Sequence, residues 1–329
     1  MAPGIRALRK IQLGKEATAG TKVAADIIWR GTGSIHDNMD LVFPTEDIGM
    51  LVPVGRSYIA RYEAGLTLND TEATFEQLPH LFEMGIESVT PTGTTDSTYT
   101  YTYVMPYAST DLVSSTDLAT YTVEGGDNAA AEEFGYGFAR SISLTGSAGQ
   151  ALMMSAEIVG RQVEAGAFTT GIAIADVEEI LFGMGKLYIS DVTGGFPSTD
   201  LISNQLLGMS LSINTGWLPV YTADGALYFS FIKQTTPEVT LQITFEHDTT
   251  AIAEKVNWRA QTPRIISLVF TGTDGKSLAI DIAGKWASFD VLGEQDGNDI
   301  VSGTFIGSYN SAVGGMFQVA ITNLLSKLP

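Results

Sequence analysis

His36, His80 and His247 are the only imidazoles of this 329-residue chain, and it contains no cysteine. A cysteine nucleophile, a thiolate metal site and a disulfide are therefore excluded. None of the histidines sits in an H-E-x-x-H helix or at another metal-ligand spacing. His80 follows Pro79 in a short helical pattern and His247 ends a strand pattern, so both read as surface or boundary residues. Ser34, His36 and Asp37 are close in sequence, but a catalytic triad needs converging geometry, and these three read as part of a Gly-rich loop with no G-x-S-x-G elbow. Gly14-Lys15 and Gly185-Lys186 lack both the upstream glycine and the following Ser/Thr of a phosphate loop. Asp290, Glu294, Asp296, Asn298 and Asp299 could hold Ca²⁺ weakly; they depart from the D-x-D-x-D-G-x₅-E pattern, and an Asp-Gly hairpin turn accounts for them. Carboxylates are plentiful, and no pair is singled out for glycosidase chemistry. Trp29, Trp217, Trp258 and Trp286 are scattered, which suits packing anchors better than a sugar-stacking platform. The inventory predicts a protein that is not an enzyme, with no catalytic, metal or cofactor-binding residue.

The elements around these residues read as mainly β. Val239, Leu241, Ile243 and Phe245 alternate with polar neighbours, as do Ile142 and Leu144, then Leu278, Ile280 and Ile282, then Phe317, Val319 and Ile321. The run Thr98-Tyr99-Thr100-Tyr101-Thr102-Tyr103 is β-branched and aromatic throughout. Asp296-Gly297 and Gly146-Ser147-Ala148-Gly149 supply turns. Two short helices are expected. The first opens at Thr74 with a Thr74-x-x-Gln77 capping box, carries the stripe Phe75, Leu78, Leu81, Phe82, and stops at Gly85. Pro79 inside it is expected to cost one backbone hydrogen bond. The second runs from about Thr250 to Ala260 with Ile252, Val256 and Ala260 four apart.

Glu63-Ala-Gly-Leu66-Thr-Leu68 leads into the first helix and Glu238-Val-Thr-Leu241-Gln-Ile243 into the second, at an offset of 175. The order strand, helix, strands repeats, which predicts an internal duplication: one domain over 1–182, with an N-terminal arm and a long stacking loop, and one over 183–329. The competing account is a single large β-domain with two incidental helices.

Charge has a direction along the chain. Residues 1–30 carry six Lys/Arg against Glu16 and Asp26, whereas residues 62–139 contain thirteen carboxylates and no Lys or Arg, within a net charge of −19. A basic arm and an acidic body suggest head-to-tail contact between copies; the plain alternative is a frayed terminus and a solvated face. Tight nucleic-acid binding is disfavoured, because the net field repels phosphates. The first twenty residues lack the apolar core of a secretory signal. No apolar run approaches the ~20 residues that span a bilayer, so a soluble protein with no membrane partner is expected.

The stretch Leu8-Arg9-Lys10-Ile11-Gln12-Leu13-Gly14-Lys15-Glu16-Ala17-Thr18-Ala19-Gly20-Thr21 resembles the start of tail tube (major tail) proteins of long-tailed bacteriophages with non-contractile tails. The resemblance continues through Ile28-Trp29-Arg30-Gly31, Pro44-Thr45-Glu46-Asp47-Ile48-Gly49, Arg56-Ser57-Tyr58-Ile59 and Ala73-Thr74-Phe75-Glu76-Gln77-Leu78-Pro79. It is clearest over 8–84, and Phe317-Gln318-Val319-Ala320-Ile321-Thr322-Asn323 is similar to the family's last strand. The resemblance implies two tandem β-sandwich or half-barrel domains, each flanked by a short helix, whose inner strands join those of neighbours into a β-barrel. It implies rings of three copies, stacked through the arm and a long loop into a hollow virion tail tube, made in the host bacterial cytoplasm. The implied partners are further copies of the chain, tape measure, tail terminator and tail tip proteins, and double-stranded DNA passing non-specifically through an acidic channel. Three copies at −19 each would repel that DNA and keep it from sticking, with the carboxylates of 62–139 facing the channel or the stacking surface. Residues 1–30 and the loop 31–56 are expected to order only on stacking. Another virion β-protein (capsid decoration or receptor-binding tail module) and a secreted carbohydrate-binding β-sandwich are the alternatives.

Overall fold

Period-two patterning prevails along the chain, and strands follow from it. The computed structural model describes residues 3–52, 55–93, 98–107 and 118–329. The first half contributes β1 (Lys10–Lys15), β2 (Ile27–Ile28), β3 (Gly33–Val42), β4 (Tyr58–Glu72), helix α1 (Leu78–Gly85), β5 (Thr92–Gly93), β6 (Tyr99–Val104), β7 (Tyr121–Gly126), β8 (Ala131–Ser147), β9 (Met153–Gly160) and β10 (Glu164–Gly166). The second contributes β11 (Gly185–Asp191), β12 (Leu201–Ile202), β13 (Leu206–Asn214), β14 (Trp217–Val220), β15 (Phe231–Gln234), β16 (Glu238–Glu246) and helix α2 (Thr249–Ala260). It ends with β17 (Arg264–Thr271), β18 (Ser277–Phe289), β19 (Gly293–Gln295), β20 (Asn298–Gly307) and β21 (Phe317–Asn323). The protein is mainly β and its strand pairs are antiparallel, with two α-helices among the described residues.

One sheet runs across both halves in the order β3-β4-β9-β8-β13-β16-β20-β18. Two shorter layers, β2-β1-β7-β8-β10 and β12-β11-β17-β18-β21-β6-β5, share the long strands β8 and β18 with it. Each shared strand changes layer next to an irregularity: β8 shifts register between Ala139 and Ser141, and β18 between Trp286 and Ser288. An extra residue at such a point bends the strand and raises its twist, which lets it leave one sheet for another. The buried apolar side chains form one large cluster that draws on both halves. A smaller one (Leu118, Tyr136, Phe138, Val159, Trp217, Phe229 and Ile232) lies where the β14–β15 hairpin meets the first half.

The pairings recur. β1·β7, β3·β4, β4·β9, β7·β8 and β8·β9 in the first half have counterparts in β11·β17, β13·β16, β16·β20, β17·β18 and β18·β20. The registers agree as well. Leu66 faces Ile158, and Leu241 faces Phe305, which puts Leu66 and Leu241 in one position at the offset of 175 seen in the sequence. Asn38 opposite Glu63 likewise corresponds to Asn214 opposite Glu238.

Both helices differ from expectation. α1 begins at Leu78, so Pro79 falls in the first turn, where its missing N–H costs no intrahelical bond. Thr74 still bonds Gln77, its Oγ1 accepting from Gln77 N at 3.2 Å. Every residue of α1 is buried. Gly85 does not end it by turning left-handed; it lets the helix approach its neighbours, since a Cβ there would lie 3.0 Å from both Ile142 Cδ1 and Thr215 Cγ2. α2 is capped by Asp248, which accepts from Thr250 N and Ala251 N, and closes on Gln261 at φ 55°. Its inward face is Ala251 and Glu254, and the stripe Ile252, Val256, Ala260 points outward.

Candidate assembly surface

The interior holds several carboxylates, and each is occupied by the protein's own donors. Glu83 on α1 is 1 % exposed and receives the Lys15 ammonium at 2.6 Å and the Tyr121 hydroxyl at 3.3 Å. Because that hydroxyl donates to Glu83, its oxygen accepts from His80 Nδ1–H at 3.0 Å. His80 is thus a buried neutral imidazole and not a boundary residue; burial first, then the Lys15 charge, pushes its pKa down to about 3. Burial and the Glu83 charge push the Tyr121 and Tyr103 hydroxyls well up.

The second half repeats this arrangement with the charges exchanged. Glu254 on α2 accepts from Arg264 Nη2 at 2.7 Å and from Trp286 Nε1 at 2.8 Å, and Arg264 also binds Asp191. Lys15 faces Tyr121 across β1–β7 as Asp191 faces Arg264 across β11–β17. The cation therefore sits on the first strand in one half and on the later strand in the other. Glu16 accepts from Gly20 N, Thr120 Oγ1, Thr122 Oγ1 and Tyr136 N, and Glu124 from Thr169 N and Oγ1. All of these acids hold strands and helices together.

The acidic run over 62–139 is accordingly not one solvated face. Glu76, Glu83 and Glu124 are interior; Glu76 binds Lys276 and Glu83 binds Lys15, while the more accessible Glu133 binds Lys22. Asp96, Asp111 and Asp117 lie outside the described residues. The basic N-terminal segment is not a detached arm either. Lys10–Lys15 is a strand between β2 and β7, and Lys15 and Lys22 bind acids of the same chain. Burial works against the charge on Lys22, but Glu133 and Glu164 outweigh it and raise its pKa.

The long sheet has a polar open face and two open edges. On that face Ser34, Thr67, Glu157, Ser141, Asn214 and Glu238 follow one another across six strands. The neighbouring row is Ser155, Ser143, Ser212, Thr240, Ile306 and Lys285. Hydroxyls dominate, with acids outnumbering bases. At one edge β3 pairs, among the described residues, only with β4. Residues 31–56, read as a loop, are thus in part this strand. Ser34 and His36 share its polar face, where His36 Nε2 lies 3.0 Å from Thr67 Oγ1, while Asp37 alternates to the other side. At the other edge the end of β18 and the segment into β19 pair, among the described residues, only with β20. Apolar side chains are exposed beside both edges: Met39, Leu41, Phe43, Ile48, Met50 and Leu51 near β3, and Val291 and Leu292 after β18.

Asp296-Gly297 forms the β19–β20 turn, both residues at positive φ, and Glu294 accepts from Gly297 N. Gly14-Lys15 lies within β1 and Gly185-Lys186 opens β11. No group of three or more His, Asp or Glu among the described residues is placed to hold a metal ion, and no helix is long and apolar enough to cross a membrane. The sequence reading missed the two edges and the buried helix acids. Their signals were weak: β3 carries polar residues on both faces, and Glu83 and Glu254 look like ordinary helix acids until their donors are placed. No protein-family model matches the chain, and no curated protein matches it.

Proposed function

We propose that this chain is a structural subunit whose copies join edge to edge into a ring, and whose rings stack into a hollow tube of the kind formed by tail tube proteins of long-tailed, non-contractile phages. The observation that carries this is the long sheet, which spans both halves and ends in two strands whose outer edges have no partner among the described residues. Open edges are a liability that a lone globule covers or charges, and ring closure abolishes them. On this reading the two halves are tandem half-barrel domains, each supplying four strands of the wall. A ring of three copies gives six such four-stranded units, and its partners are further copies, the proteins that set and cap the tube, and DNA in transit. The polar face lines the channel. In its two rows hydroxyls prevail and the acids Glu157 and Glu238 outnumber the base Lys285, while Arg140 is tied to Glu157, so phosphates meet little net attraction.

Negative-stain microscopy of the concentrated protein tests the proposal: hollow filaments of constant width support it, and a monomer that never polymerises at any concentration or ionic strength defeats it.

A further inference from the structure

The long sheet already contains a junction of the sort the self-assembly reading requires. β8, from the first half, pairs with β13, from the second, in a fixed register: Ser141 opposite Asn214, Ile142 opposite Ile213, Ser143 opposite Ser212 and Leu144 opposite Leu211. Each partner has a counterpart left open at an edge. The pairing of β13 with β16 matches that of β3 with β4, so Leu211 corresponds to Ile35 and Ser212 to His36. The pairing of β8 with β9 matches that of β18 with β20, irregularity included, so Ser141 corresponds to Ser288 and Ile142 to Phe289. Asp290 continues that alignment, its N–H bonding Ser302 O as the next step of the ladder requires.

We infer that β3 of one copy pairs antiparallel with residues 288–291 of the next, in the register of the internal β8–β13 junction. Asn38 then lies opposite Ser288, Asp37 opposite Phe289, His36 opposite Asp290 and Ile35 opposite Val291. The occupant of each edge is a second copy of this chain, joined head to tail, so the contact is heterologous and propagates until a ring closes.

Three features support this occupant. Val291, 87 % exposed, stands where Leu144 is fully buried against Leu211. His36 meets Asp290 where the internal junction has two serines, giving the contact between copies an imidazole–carboxylate hydrogen-bonding pair that the internal one lacks. The excursion after each edge strand also corresponds. After β13 the chain forms the β14–β15 hairpin, which reaches across the junction: Trp217 Nε1 bonds Gly85 O at 3.0 Å, and Phe229 packs edge-on to Tyr136 and Phe138 of the first half. After β3 the chain that follows, residues 43–52, exposes Phe43, Ile48, Met50 and Leu51, an apolar set suited to reach across to the next copy in the same way. Asp37 in the place of Ile213 makes the contact between copies more polar than the internal one.

The inference rests on the self-assembly reading, and the absence of native cysteine makes it simple to test. Two double variants, His36→Cys with Asp290→Cys and Ile35→Cys with Val291→Cys, are assembled and oxidised. Neighbouring pairs on an antiparallel ladder alternate between close and wide spacing, so one of the two presents the geometry a disulfide needs. The expected result is a ladder of covalent oligomers ending at the size of a closed ring. A control two residues out of register, His36→Cys with Ser288→Cys, should link roughly ten-fold less, its Cβ atoms lying diagonally apart. Filaments that form without linkage in either matched pair overturn the inferred junction and leave the tube reading standing. Linkage by His36→Cys alone would mean that β3 pairs with itself, and overturns the junction too. No polymer and no linkage defeat both.

Discussion

The two halves place the same two strand positions beside a buried helix glutamate and solve its charge differently. In the first half Glu83 takes a lysine from β1 and a tyrosine hydroxyl from β7. In the second, Glu254 takes a guanidinium from β17, which also reaches Asp191 on β11. Lys15 keeps 32 % of its side chain exposed, whereas Arg264 keeps 12 %. Arg264 serves two carboxylates from a largely buried position, as Lys276 does with Glu76 and Glu178, whereas Lys15 pairs with one and keeps part of its stem in water. What the two matching strand arrangements share here is the need to satisfy a buried acid, and different residues meet it.

The largest expected effect separates the halves. Arg264→Ala strands Glu254 in the interior and should cost about 3–5 kcal/mol. Lys15→Ala leaves the buried Glu83 with the Tyr121 hydroxyl but opens a partly solvated site to water, and should cost less, about 1–3 kcal/mol. Equal losses in urea melts would erase the distinction. Next is His80, which has no counterpart in the second-half cluster. Its folded pKa is about 3, and its unfolded value is about 6.5. The unfolded chain therefore binds the extra proton between those values, and stability should fall as pH drops below 6.5, by about 2 kcal/mol at pH 5. His80→Gln should flatten that dependence, and a dependence unchanged in the variant would place the titration elsewhere. Trp217→Phe removes the bond to Gly85 O that ties the second half's hairpin to the first half's helix, at about 1 kcal/mol; a neutral result would show that packing alone holds the hairpin. The smallest effect concerns Asp281, opposite Ser267 on β17. Burial raises its pKa despite the Ser267 hydrogen bond, so its charged form opposes folding above the unfolded pKa. Asp281→Asn should raise Tm by a degree or two, roughly, at pH 7, with the gain vanishing near pH 4.

Strands with one buried face were legible. The alternation at Val239–Phe245 became β16, and those at Leu278–Ile282 and Phe317–Ile321 became parts of β18 and β21. The recurrence at offset 175 reappears in the strand registers. Less legible was anything decided by distant partners. The polar run Ser34–Asp40 reads as loop because both of its faces meet water, yet hydrogen bonding to β4 makes it a strand. Ile252 and Val256 look like a core stripe, but Asp248 and Glu254 fix the rotation of α2, and the stripe turns outward. His80 beside a proline suggests a boundary; only the placement of Tyr121 and Glu83 reveals it as interior. For the candidate surface, composition indicated an acidic molecule, while the two open edges required the full order of strands.

β8 and β18 each belong to two layers. A pull on the long sheet is thus carried into the shorter layers through covalent backbone rather than through side-chain contact. Within one copy the layers cannot slide past each other without stretching a peptide chain. In the proposed tube compliance would fall to the seams between copies, and a filament of such units would flex as a string of stiff beads, curving at its joints while the bore through each bead keeps its width.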